Sequence, residues 1–219
     1  MPLSVQYLLQ DLDDPFVLFP IQSVCKSLND LVRETDESFI ERLGPYGVAR
    51  KFWDVPAEIL HEEIGLLLGA AFVLGQATIT QTISLLRRIR QEAGVNTGLT
   101  ERKSDMLTLE SLTDPRVGKS PIEVIDLAAN YFKHHQEWPD NWATTSNPDL
   151  QARTIRGCVD LGMRPGEMTN NMYSALQAIG PYPIDVSSIQ QAIQSWRGRL
   201  ARRLYAALNL PDPELQTSP

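Results

Sequence analysis

The chain has 219 residues, of which 42% are hydrophobic and 21% charged, enough for one domain with a core of ordinary size. Its net charge of −7 argues against a protein that binds nucleic acid through bulk positive charge, although a local basic face stays open. The cysteines and histidines lack metal-site spacing, and the N-terminus lacks the pattern of a signal peptide. We therefore expect a cytoplasmic protein with buried free thiols at Cys25 and Cys158 and with no metal or cofactor.

The first third of the chain predicts two helices. Residues 5–12 have the apolar spacing of a short amphipathic helix, and residues 20–43 have that of a longer one. Gly44-Pro45 is a stop signal for the second helix. Residues 46–55 form a connector, in which Phe52-Trp53 is expected to pack rather than bind.

The stretch from Pro56 to Gly94 predicts one long helix, with acids near its start and bases near its end. It is long enough to cross a bilayer, but its second half is rich in Thr and Gln and no second span would bury those groups. We therefore predict a buried helix and no membrane. Small residues along it predict close contact with neighbouring helices: Gly65, Gly69, Ala70, Ala71 and Gly75.

The second half of the chain begins with a polar segment, residues 95–119, which we expect to be weakly ordered apart from a short helix near 106–112. Ser120-Pro121-Ile122-Glu123 is a capping box with proline at the first helical position, and it starts a helix that ends before Pro139. Asn147-Pro148 repeats the start signal. Further helices are predicted within 165–180 and at about 186–208.

Strand patterns are scarce and repeats absent, so these six or so helices predict the fold class. We expect a single all-α domain over residues 1–210, built as a helical bundle around the long central helix at about 56–94. Residues 211–219 are expected to be a disordered tail.

The candidate chemistry lies at the end of the capped helix. Asn130 and His134 are four residues apart and therefore share a helix face, as do Lys133 and Glu137. His134 and its neighbour His135 are the side chains best suited to proton transfer near neutral pH. Two adjacent histidines point about 100° apart on a helix, so they do not predict a metal site.

In its layout the chain resembles the helical HEPN domains of prokaryotic toxins and defence ribonucleases. Their signature is an Arg, four to six residues and then a His, with a polar residue commonly after the Arg. Ala129-Asn130-Tyr131-Phe132-Lys133-His134 is similar to the form with Asn after the Arg, but the Arg position is Ala129. The resemblance spans about residues 56–138.

The resemblance implies a dimer in which Arg and His of two protomers face one RNA phosphodiester, with His moving a proton and Arg stabilising phosphate charge. Alanine cannot supply that charge, and Lys133 lies one turn further along. The resemblance therefore implies a non-catalytic or altered member. In the altered case, His134, Asn130 and Lys133 are the catalytic candidates, with His135 and Glu137 as binding residues.

The same residues also have a structural interpretation. Asn130 and His134 would then make buried hydrogen bonds to a neighbouring helix, while His135 and Glu137 would belong to a solvated face. The last helix carries a basic stripe, which would either contact phosphate or form a solvated face that pairs with acids of a second copy. Its members are Arg197, Arg199, Arg202 and Arg203.

Three functions follow from these alternatives. The first is a HEPN-like binding or regulatory protein of a prokaryotic defence or toxin–antitoxin type system, non-catalytic and homodimeric. The second is a metal-independent ribonuclease that uses His134 on RNA. The third is a helical immunity protein that masks a partner protein through its acidic surface.

Overall fold

The computed structural model describes residues 3–14, 18–43, 55–94, 97–144, 150–180 and 185–211. Over these ranges the protein is all-α, as predicted, with eight α-helices and no strand beyond one isolated bridge between Asp114 and Lys119. The helices are α1 Leu3–Asp13, α2 Phe19–Leu43, α3 Val55–Ala93, α4 Lys103–Thr108, α5 Pro121–His134, α6 Leu150–Asp160, α7 Met168–Ile179 and α8 Ser187–Ala207.

Helix α3 is the centre of the bundle, with 39 residues and contacts to α1, α2, α5, α7 and α8. Its Glu58–Ala93 stretch contains an 18-residue window apolar enough to cross a membrane, and 56% of that window is buried inside the fold. Its buried threonines satisfy their hydroxyls on the preceding helical turn, as Thr82 does on the Thr78 carbonyl at 3.0 Å. The prediction of one long central helix is confirmed.

Small residues on α3 allow the neighbouring helices to approach closely. A Cβ atom at Gly75 would lie 2.7 Å from Ile189 Cγ2 of α8, and one at Gly69 would overlap the ring of Phe132 on α5. Ala71 is fully buried, as expected, whereas Ala70 is exposed and takes no part in this packing.

The expectation of weak order is wrong for residues 97–110, which pack on the bundle. Met106 of α4 is fully buried. The Trp196 indole nitrogen donates a 2.8 Å hydrogen bond to the Leu109 carbonyl, and Arg199 Nε donates to the Glu110 carbonyl at 2.6 Å. The polar composition of this segment predicted a loose loop. That prediction failed because the residues that fix the segment lie about 90 positions further along the chain, on α8.

Some predictions concern residues outside the described ranges. These are the stop signal Gly44-Pro45, the aromatic pair Phe52-Trp53, the start signal Asn147-Pro148 and residues 212–219 of the tail.

Candidate functional site

Helix α5 carries the predicted site, and its capping box fixes where it begins. The Ser120 hydroxyl accepts the Glu123 backbone N–H at 3.2 Å, and Glu123 Oε2 accepts the Ser120 N–H at 2.9 Å. Ile122, Ile125 and Ala128 then face the core. This register leaves Asp126, Asn130 and Lys133, which are three to four residues apart, along one edge of the helix.

That edge meets α3 in a polar cluster that we call the Gln76 network, formed by Gln76, Lys103, Asp126, Asn130 and Lys133. The Gln76 side-chain nitrogen donates to Asp126 Oδ1 at 2.7 Å and to Asn130 Oδ1 at 3.0 Å. Its side-chain oxygen accepts from Lys133 Nζ at 2.6 Å. Lys103 Nζ of α4 lies 2.6 Å from Asp126 Oδ1, so the network joins three helices.

The network accounts for the polar side chains in this part of the interface. Gln76 is buried, and the Asp126 side chain is only 13% exposed, so each would be costly without partners. Two catalytic candidates, Asn130 and Lys133, therefore have a structural role as α3 partners. The sequence interpretation in which Asn130 joins its helix to a neighbour agrees with this geometry.

The third candidate, His134, lies outside the network. Its side chain is 46% exposed, and its Nδ1 lies 3.2 Å from Glu137 Oε1, one turn further along. His135 instead folds back on α5, where its ring stacks on Tyr131 with centroids 4.9 Å apart. Ala129, at the position of the signature arginine, is fully buried. Asn130 and Lys133 thus contact Gln76, whereas His134 contacts Glu137.

The arginines of α8 do not form one solvated face. Arg197 is buried, and its Nη1 and Nη2 donate to Thr82 Oγ1 at 2.8 Å and to the Asp11 carbonyl at 2.6 Å. Burial lowers the pKa of this guanidinium, while the acids at the end of α1 act in the opposite direction. Arg203 Nη1 lies 2.8 Å from Glu110 Oε1, and Arg202 is exposed. Of the predicted binding arginines, Arg197 and Arg203 therefore hold other segments to α8.

Sequence reasoning missed a cavity between α4, α5 and α6, which we call the α4–α6 pocket. Its volume is about 340 Å³. Basic, acidic and apolar side chains line it: Lys103, Lys119, Arg153, Arg156, Glu123, Asp126, Asp160, Leu107 and Leu127. These residues come from three separate parts of the chain, so no local motif marks the pocket. The three-residue spacing of Arg153 and Arg156 on a predicted helix was the available signal.

Burial changes the acidity of two cysteines and one histidine. Cys25 and Cys158 are buried and free, as expected, and burial raises their pKa values to about 11 and about 12. His61 of α3 lies between the rings of Phe39 and Tyr173, and its buried Nδ1 has no hydrogen-bond partner among the described residues. Burial lowers the pKa of His61.

Comparison of the chain with protein-family models, with curated proteins and with solved structures gives no match.

Proposed function

We propose that the protein is a non-catalytic binding or regulatory protein, HEPN-like in layout, of a prokaryotic defence or toxin–antitoxin type system. The observation that carries the non-catalytic assignment is the engagement of Asn130 and Lys133 with Gln76 of α3, whereas His134 contacts Glu137. A catalytic pair needs its groups directed at one reacting centre. The buried thiols agree with action in the reducing cytoplasm.

We place the partner surface on the side of α3 that faces away from the core, the α3 outer face. Exposed apolar residues recur there at helical spacing, and Ile59 and Leu66, seven residues apart, are 58% and 54% exposed. Ala70 and Ala77 are exposed on the same side, where a second helix could approach closely. Apolar stripes of this kind mark interaction surfaces.

A second copy of this chain fits the charges at the two ends of the α3 outer face. Exposed Glu62 and Glu63 lie near its start, and exposed Arg87 and Arg88 lie near its end. Two-fold antiparallel pairing of two α3 helices places the acids of one protomer against the bases of the other. The proposed assembly is therefore a homodimer.

Light scattering on the purified full chain tests the dimer. Leu66→Glu introduces charge into the apolar stripe and is expected to give a monomer. Leu112→Glu makes the same change at a 71% exposed site outside α3 and should leave the dimer intact. A wild-type protein that stays monomeric at high concentration, or two variants with the same mass, would contradict the proposed interface.

One observation favours a second function, a metal-independent ribonuclease. Glu137 can orient the His134 imidazole through Nδ1, which leaves the other ring nitrogen free for proton transfer. An incubation of the protein with mixed-sequence RNA in EDTA separates the two functions. The non-catalytic proposal expects intact RNA with both wild type and His134→Ala. Cleavage that His134→Ala abolishes without a change in melting temperature would replace it with the ribonuclease.

A further inference from the structure

The α4–α6 pocket has the size and lining of a small-molecule site. Its volume of about 340 Å³ lies within the range of ligand cavities in proteins. Leu107 and Leu127 supply an apolar surface, and charged side chains of α4, α5 and α6 surround it. None of the predicted site residues lines the pocket, so its role is independent of His134 and of the α3 outer face.

Most charged groups of the pocket already have partners. Lys103 Nζ contacts Asp126 Oδ1 at 2.6 Å, and Lys119 Nζ contacts Asp160 Oδ2 at 3.1 Å. Glu123 serves the capping box of α5. The three acids of the pocket are thus engaged, whereas two of its four bases are not, and the net charge of +1 over these seven side chains favours an anionic ligand.

The remaining groups are Arg153 and Arg156 of α6. Both side chains are exposed, and neither forms an ion pair or hydrogen bond with any residue in the described part of the chain. Three-residue spacing places them on neighbouring turns of one helix face. Gly157 lets this face approach α5, because a Cβ atom there would lie 2.7 Å from Leu127 Cδ2. Arg153, Arg156 and the two leucines therefore line the same cavity.

We propose that the α4–α6 pocket binds a small phosphate monoester with an apolar or aromatic body. The planar fork of an arginine matches the oxygens of a phosphate in a bidentate arrangement. Two guanidinium groups also match the double negative charge of a monoester, whereas a carboxylate offers one charge. Leu107 and Leu127 receive the body of the ligand, which inorganic phosphate lacks.

Calorimetric titration of the full chain with phenyl phosphate, inorganic phosphate and benzoate tests the proposal. Phenyl phosphate is expected to bind at least about tenfold more tightly than either of the others, because it alone satisfies both the arginines and the leucines. Absence of measurable phenyl phosphate binding at millimolar concentration would overturn the proposal. So would equal affinity for phenyl phosphate and inorganic phosphate, or for phenyl phosphate and benzoate.

A pair of matched variants assigns the binding to this pocket. The double variant Arg153→Gln/Arg156→Gln should lose at least about tenfold in phenyl phosphate affinity, because both forks are removed. Arg33→Gln/Arg164→Gln removes the same charge at two exposed sites outside the pocket and outside the α3 outer face, and should change the affinity less than about twofold. Equal losses in the two variants would mean that phenyl phosphate responds to net charge, and the proposal would fail.

Chemical protection gives a second test on the unmodified protein, which does not depend on how a variant folds. Phenylglyoxal labels accessible arginines, and peptide mass spectrometry reports the extent at each residue. Phenyl phosphate is expected to slow labelling of Arg153 and Arg156 but not of Arg33 and Arg164. No protection, or equal protection at all four arginines, would overturn the assignment.

Discussion

Two polar clusters lie within about one turn of each other on α5, and their surroundings differ. In the Gln76 network, Asn130 and Lys133 bind a buried glutamine of α3, and Asp126 binds Lys103 of α4. The cluster of His134 and Glu137 is a pair within one helix end, with side chains 46% and 62% exposed. Polar residues that look equivalent in sequence therefore have different roles. The Gln76 network connects helices, whereas His134 and Glu137 face solvent.

The largest effect is expected from removing the acid of the Gln76 network. Asp126→Ala removes the carboxylate that Gln76, Lys103 and Asn130 contact, so three polar side chains of the Gln76 network lose a hydrogen-bond partner. Because the Lys103 side chain is 41% exposed, we discount the ion pair and expect a loss of about 2–3 kcal/mol in the free energy of unfolding. Urea unfolding measures it. Asp105→Ala on the exposed side of α4 is the control and should cost less than about 0.5 kcal/mol.

A smaller loss is expected where α5 packs most closely on α3. Gly69→Ala would push a methyl group into the Phe132 ring, and overpacking of this kind costs about 2 kcal/mol. Gly198→Ala is the matched control, because open space surrounds that site on α8. It should raise stability by about 0.5–1 kcal/mol through helix propensity. Equal thermal shifts in the two variants would contradict the close approach of α5 to α3.

A pH effect is expected from His61, whose pKa is lowered by burial in the folded protein. As pH falls below about 6.5, the unfolded chain takes up a proton that the folded chain resists, so stability falls. His61→Gln removes this titration and should flatten the change in unfolding free energy between pH 7.5 and 5.5. His134→Gln is the control for replacing a histidine with glutamine, and the part of the slope that depends on His61 should remain in it. Unchanged pH dependence of the unfolding free energy in His61→Gln would contradict His61 as the source of the effect.

The smallest effect is expected at the exposed end of α5. His134→Ala removes a solvent-exposed pair with Glu137, and such helix-surface pairs contribute about 0.2–0.5 kcal/mol. Its unfolding midpoint in urea should lie close to that of the wild type. A loss as large as that of Asp126→Ala would mean that His134 supports the fold.

The sequence predicted the helices well because their signals are local. These signals are the apolar spacing, the uncharged run of α3 and the Ser120–Glu123 capping box. Each depends on neighbouring residues, and the structure has the helices that they predicted. The site was harder to predict because its contacts are distant in sequence. Gln76 and Asp126 are 50 residues apart, and Arg197 reaches Asp11 over 186 residues. No period or motif links such pairs. Neither their contacts nor the α4–α6 pocket could therefore be predicted from the sequence.

Double-mutant cycles on the Gln76 network and on the His134–Glu137 pair test most directly whether the Gln76 network holds α5 against α3. The first cycle combines Gln76→Ala with Asn130→Ala, whose side chains are joined by a 3.0 Å hydrogen bond, and the second combines His134→Ala with Glu137→Ala. Urea unfolding should give a coupling energy of about 1 kcal/mol for the first pair and below about 0.5 kcal/mol for the second. Additive effects of Gln76→Ala and Asn130→Ala, together with strong coupling between His134 and Glu137, would contradict this account.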